Sequence, residues 1–281
     1  MQQGLTRVHV PILPLPVPSP SFYVHPAQFS PSPAETVRLH ELFMSANDMP
    51  ALVLLPGLWC DRTIWTPQLD ALADFAVLAA EYGDAGSLGE MAARALAAAP
   101  PRFSLAGHSM GARVALEVLR QAPDRVERLA LLDTGIHPVR PGEAGHRMGQ
   151  INLGRERGVE ALIDGWLLPM LHPEHRALPG IVDPLRAMCR RGGMAMFEAQ
   201  NRALLSRPDP RDLLPGIAVP TLIGVGRQDQ WSPVEQHREI AEAIPGSTLT
   251  IFESSGHMAP FEAPEAVTAA LRRWLDQPTR S

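Results

Sequence analysis

Apolar residues along this chain fall into short unbroken runs separated by segments of helical spacing. The run "ALVLLPG", from residue 51, stays apolar until Pro56 and Gly57 end it, as in a strand buried on both faces of a parallel sheet. "FAVLAAEYG", "RFSLAGHS", "VERLALLDT", "VPTLIGVGRQD" and "STLTIFESSGH" repeat the pattern. Between them, "LGEMAARALAAA", "MGARVALEVLRQAP" (stopped by Pro123), "PVEQHREIAEAI" and the closing "APEAVTAALRRWLDQ" read as helices. Such alternation predicts an α/β fold: a mostly parallel, doubly wound sheet flanked by helices, with ligands at the carboxyl ends of its strands.

Residues 136–206 break the rhythm. They show helical spacing and no strand pattern: Val159, Leu162, Ile163, Trp166, Leu167 and Met170 share one helix face, and "LRAMCRRGGMAMFEAQNRALL" adds methionines suited to an adaptable apolar wall. This segment reads as a helical cap inserted into a core made of 46–135 and 207–281. Residues 1–45 form a different region, because eight of the chain's 29 prolines fall within 1–33 and proline at that density denies a helix or central strand its donors. The expectation is an extended arm. It would wrap the domain, exchange with a neighbouring copy in a homo-oligomer, or be a leader upstream of a start at Met44 or Met49, with "TVRLHELF" supplying one short strand.

Composition narrows the chemistry. All 25 basic residues are arginine, which removes Schiff-base lysines and the phosphate-binding lysine of a P-loop. A net charge of −5 gives no electrostatic reason to expect nucleic acid or an anionic membrane. The apolar run "VHVPILPLPVPSP" is broken by five prolines and lacks a small-residue cleavage site, so neither a signal peptide nor a membrane span is read there. Cys60 and Cys189 lack zinc-site spacing and fit a reduced, cytoplasmic setting as small apolar residues. No metal or organic cofactor is called for.

One serine stands where strand pattern becomes helix. In "AGHSMG", Ser109 is flanked by Gly107 and Gly111, and a serine at such a turn is either a helix cap or a nucleophile. The strand-turn-helix context favours the nucleophile. A serine hydroxyl then needs a base, and the base an orienting acid. Among ten histidines, His257 follows the last strand on a flexible Ser-Gly approach. His108 is aimed away by the turn, His237 falls on a solvated helix face, and His172 and His175 read as a surface loop rather than a metal site. Asp229 ends the preceding strand and is the favoured acid, with Asp133, at another strand end, its competitor.

With "LLPGLWCDRTIW", "GHSMG", "GRQDQWSP" and "GHMAPFEAPE" in the order Ser109, Asp229, His257, the chain resembles the α/β-hydrolase fold family over roughly residues 48–278. The resemblance implies Ser109 as nucleophile, His257 as general base and Asp229 as orienting acid. It also implies an oxyanion hole made by the backbone N–H groups of Leu58 and Met110. The expected activity is cofactor-independent cleavage of a carboxylic ester with a small or medium apolar group, in a pocket for which Trp59, Trp166, Met170, Trp231 and Met258 are candidates. Lactone or carbon–carbon bond hydrolysis and perhydrolysis use the same triad, and a ligand receptor that kept the fold and lost turnover is the non-enzymatic alternative.

Overall fold

The computed structural model describes residues 49–279; the expected arm, its short strand and the Met44 start lie outside the described residues. Six strands, β1 (Ala51–Leu55), β2 (Ala76–Ala79), β3 (Phe103–His108), β4 (Val126–Leu132), β5 (Thr221–Gly226) and β6 (Thr248–Phe252), form one sheet in the order β2-β1-β3-β4-β5-β6. Every pairing is parallel, with Leu54 opposite Ala106 and Leu131 opposite Ile223. β3 and β5 are buried along their whole length, whereas the edge strands β2 and β6 are half-exposed. Continuous apolar runs therefore mark the centre of the sheet, where helices cover both faces.

The helices are α1 (Thr66–Ala71), α2 (Leu88–Ala98), α3 (Met110–Gln121), α4 (Glu143–Met170), α5 (Pro179–Leu205), α6 (Val234–Ala243), α7 (Ala259–Glu262) and α8 (Pro264–Leu275). α3 is buried from Met110 to Leu119 on all but one side, as expected of the helix that follows a central strand. The chain runs from β2 back across β1 to β3, so the strand order reverses between β1 and β3, and a crevice opens there at the carboxyl ends. The loop "PGLW" leaves β1 and Ser109 leaves β3 on the two sides of that crevice.

Between β4 and β5 the chain is helical. α4 and α5 are each broken once, at Gly158 (φ 84°) and Gly193 (φ 60°), conformations that glycine adopts without the steric penalty a side chain brings. Leu162, Ile163, Trp166, Leu167 and Met170 form the buried face of α4, as their spacing predicts. Trp166 packs edge-on against Trp59 (centroids 5.5 Å apart) and against Phe197 of α5 (6.0 Å). Among the described residues no helix is long and apolar enough to cross a membrane.

His237 corrects an expectation. It sits on α6 with none of its surface exposed rather than on a solvated face. Its Nε2 accepts the Thr134 N–H at 2.8 Å, and its Nδ1 lies 3.1 Å from the Pro233 carbonyl, to which it donates. The helical pattern of "PVEQHREIAEAI" could not register a backbone donor supplied by the loop after β4.

Candidate active site

The turn after β3 is tight because its glycines leave no room for anything else. A Cβ on Gly107 would collide with the Gly111 carbonyl, and one on Gly111 with the Leu55 carbonyl, so α3 starts hard against β1 and β3. Ser109 takes up the bend at φ 54°, ψ −116°, a sparsely populated conformation that costs roughly 1–3 kcal/mol. Its N–H donates to the Leu132 carbonyl at 2.8 Å, and its carbonyl accepts from Thr134 Oγ1 at 3.0 Å. The serine side chain makes no capping bond to α3. Of the two readings of a serine at this position, the helix cap is thus not the one the geometry adopts.

Instead, Ser109 Oγ lies 2.8 Å from His257 Nε2. His257 Nδ1 lies 2.7 Å from Asp229 Oδ2, and Asp229 Oδ1 accepts from the Trp231 and Ser232 N–H groups at 2.8 and 2.9 Å. Burial alone would raise the Asp229 pKa, but the charge and hydrogen bond of His257 hold it below the ordinary carboxylate value. Asp229 can then fix His257 with Nδ1 protonated and Nε2 free to accept from the serine. Asp133 has a different surrounding. It is fully buried and accepts the Gly226 N–H at 2.9 Å; burial and the nearby Asp229 charge raise its pKa well above the ordinary value. It makes no hydrogen bond to His257.

The loop that carries His257 is held from beneath and from the helical insertion. His108 points under the turn, with Nε2 2.7 Å from the His257 carbonyl; burial first, then the His257 charge, pushes its pKa down to about 3, so it is neutral and donates that hydrogen. The His257 N–H donates to the Met170 carbonyl, at the end of α4, at 2.7 Å. Glu262, its side chain fully buried, accepts from the Gly256 and Met258 N–H groups on one oxygen (3.0 and 3.2 Å) and from the His172 N–H on the other (2.7 Å). His175 Nδ1 completes this second oxygen's set at 2.8 Å. His175 is therefore packed against the His257 loop rather than left in a surface loop, and no metal-binding cluster occurs among the described residues. Nothing in the sequence pattern singled out Glu262; its signal was only a carboxyl in the turn "APFEAPE".

Leu58 faces the serine across the crevice, and Met110 follows it at the start of α3. A Cβ on Gly57 would stand 3.1 Å from Ser109 Cβ, so the "PGLW" turn presses directly on Ser109. Neither the Leu58 nor the Met110 N–H has an acceptor among the described residues. A cavity of about 610 Å³ opens above them, within the usual range for small-molecule sites. Its lining combines apolar side chains, Leu58, Met110, Trp166, Met170, Leu204 and Met258, with the guanidiniums of Arg113, Arg140, Arg147 and Arg207. Trp231 stands at its rim, 37% exposed. Trp59 is elsewhere: it does not line the cavity, and its ring is buried against Trp166 and Phe197 with Nε1 donating to the Gly193 carbonyl at 2.9 Å. Its backbone N–H donates to Gln200 Oε1 of α5 at 2.7 Å. Trp59 thus ties the loop after β1 to the helical insertion.

A sequence model of the α/β hydrolase family matches residues 52–270. The chain belongs to the α/β-hydrolase family. This hydrolase is similar to an esterase of Thermogutta terrifontis solved with malate bound, with 30% identity and a TM-score of 0.73 over 80% of this chain and 89% of that one. It is 26% identical to a pimeloyl-[acyl-carrier protein] methyl ester esterase of Aliivibrio salmonicida, over 75% of this chain and 85% of that protein. The enol-lactonase of Burkholderia xenovorans shares the fold, with a TM-score of 0.71 at 24% identity, covering 82% of this chain and 92% of that one.

Proposed function

We propose that this hydrolase cleaves carboxylic esters through an acyl-enzyme formed on Ser109. The observation that carries the reading is the unbroken line from Asp229 through His257 to Ser109, with contacts of 2.7 and 2.8 Å, at the floor of a cavity beside two uncommitted backbone N–H groups. His257 takes the Ser109 proton as Oγ attacks the acyl carbon. The Leu58 and Met110 N–H groups receive the oxyanion, a pair of which each member is typically worth about 10²–10³ in rate. Collapse expels the alcohol, protonated by His257, and leaves the acyl group on Ser109. Water, activated by the same imidazole, then releases the acid. Asp229 holds the imidazolium in place throughout. The helices of residues 136–206 act as a cap that shapes the cavity, and the unpaired, buried Cys60 and Cys189 suit a reducing, cytoplasmic compartment.

The esterase names of the relatives support the bond type. The test is a fluorophosphonate probe together with p-nitrophenyl ester turnover. The probe is expected to label Ser109 alone, and Ser109→Ala is expected to lose labelling and at least about 10⁴-fold in kcat. Unchanged turnover in Ser109→Ala, or labelling at another residue, would refute the assignment.

A further inference from the structure

The ester reading leaves the arginines of the cavity lining without a task. Arg113 stands four residues after Ser109 on α3, one turn and about 6 Å along the same helix face, and it lines the cavity that Ser109 lines. Two of its neighbours, Arg147 and Arg207, are already matched. Arg207 donates to both oxygens of Glu143 at 2.6 and 2.7 Å, and Arg147 Nε donates to the same carboxylate at 2.9 Å. Glu143 is the only carboxylate among the lining residues, and these two guanidiniums consume it. Arg113 itself donates to the His137 carbonyl at 3.1 Å. No carboxylate of the described residues comes within ion-pair distance of it.

A half-buried guanidinium facing a cavity without a counter-charge is an unfinished pair, because charges removed from water are stable when they meet an opposite charge or a full set of hydrogen bonds. Burial and the nearby Arg207 charge push the Arg113 pKa down to about 9, with Glu143 opposing, so the group remains cationic at neutral pH and would gain from an anion. Resting on the ester-hydrolase reading, we propose that the substrates are esters that carry a carboxylate, bound through Arg113 while the hydrocarbon lies on Leu58, Trp166, Met170 and Met258. Four guanidiniums line the cavity against the single Glu143 carboxylate, and a carboxylate's two oxygens fit the planar guanidinium fork of Arg113. The expectation of a purely apolar ester, drawn from the methionines and tryptophans, is narrowed accordingly to an amphipathic one.

Two matched series test this and place the charge. The first compares p-nitrophenyl hemiesters of straight-chain dicarboxylic acids with p-nitrophenyl esters of the same length ending in methyl. The second compares acetate esters of ω-hydroxy acids with those of the corresponding alcohols. In one series the anionic member is expected to be preferred in kcat/KM by roughly 10- to 100-fold, the range of a charge-assisted hydrogen bond. A preference in the first series puts the carboxylate on the acyl side, and in the second on the alcohol side. Arg113→Met should bring the ratio near one, while Arg113→Lys keeps part of it; a ratio measured within each variant is insensitive to how much of it folds. On the wild type, glutarate should inhibit neutral-ester turnover competitively where glutaramide does not. A ratio at or below one in both series, or a ratio that Arg113→Met leaves intact, overturns the carboxylate subsite. If the neutral esters are turned over and Ser109 is labelled, only the subsite falls; if no ester reacts and no label is taken up, the ester reading falls with it.

Discussion

Replacing Glu262 by glutamine removes one acceptor oxygen from a position where three of four partners are backbone N–H groups that can only donate. The amide oxygen can serve Gly256 and Met258 or His172 and His175, which the carboxyl now serves on separate oxygens. Whichever pair it serves, the amide NH₂ faces at least one backbone N–H on the other side. A buried N–H without an acceptor costs about 1–3 kcal/mol, and the remaining bonds drop from charge-assisted to neutral, so the total is about 2–4 kcal/mol. For a domain of this size that lowers Tm by about 2–4 °C per kcal/mol, or roughly 4–16 °C in all. The loop that relaxes holds His257, so the Ser109–His257 geometry loosens with it, and a misplacement on the order of 1 Å costs roughly 10²-fold in a catalysed reaction. Glu262 does not line the cavity. The substitution should therefore lower kcat roughly 10- to 100-fold, with KM changing less than about threefold. The rate of fluorophosphonate labelling of Ser109 should fall in step with kcat, since both depend on proton transfer to His257. Steady-state kinetics and a thermal melt read all of these. A variant with a lowered Tm but kcat within twofold of wild type would show that Glu262 supports only the fold and would refute its role in positioning His257.

Acid should weaken the fold before the carboxylates titrate. His108 and His237 have pKa values lowered to about 3 and about 4 by burial, so the unfolded chain binds more protons than the folded one below pH ~6.5, and stability is full above that value and lost as pH falls. Each histidine should remove up to about 2 kcal/mol between pH 6.5 and 5; a urea midpoint unchanged between pH 7 and 5 would contradict this, and His237→Gln should flatten the slope. The two turns at the crevice should respond differently to a methyl group. Gly57→Ala would place Cβ 2.8 Å from His108 Nδ1 and 3.1 Å from Ser109 Cβ, and is expected to fold while losing roughly 10-fold or more in kcat. Gly111→Ala would strike the backbone of Leu55 and Pro56 and should yield little soluble protein. Equal soluble yields of the two would count against the tight-turn argument.

What was legible depended on whether the signal was local. Central strands showed themselves because burial on both faces writes an uninterrupted apolar run, and the face of α4 because its partners repeat at helical spacing. Ser109 was legible because the turn that exposes it demands small neighbours within two residues. The supports of the site were not, since they come from far along the chain: Gln200 meets Trp59 from 141 residues away and His237 meets Thr134 from 103. Trp59 was a pocket candidate, whereas its backbone, at φ 59°, turns the ring into the core against Trp166. Arg113 had one readable cue, its position a single turn after the serine, but an arginine in a helix is silent until the carboxylates around it are known.

The Met170 carbonyl takes the His257 N–H, and Gln200 takes the Trp59 N–H. The helical insertion is thereby wired into both the loop that carries His257 and the loop that carries Leu58. Substrate range in such an enzyme cannot be reprogrammed by grafting a foreign lid onto a conserved chassis. A transplant that omits the end of α4 or the last two turns of α5 would carry off two of the splints that keep the site aligned. Directed diversification should therefore leave residues 168–172 and 197–201 untouched and vary the stretch from Arg140 to Gln150, which lines the cavity and supplies neither of these two bonds.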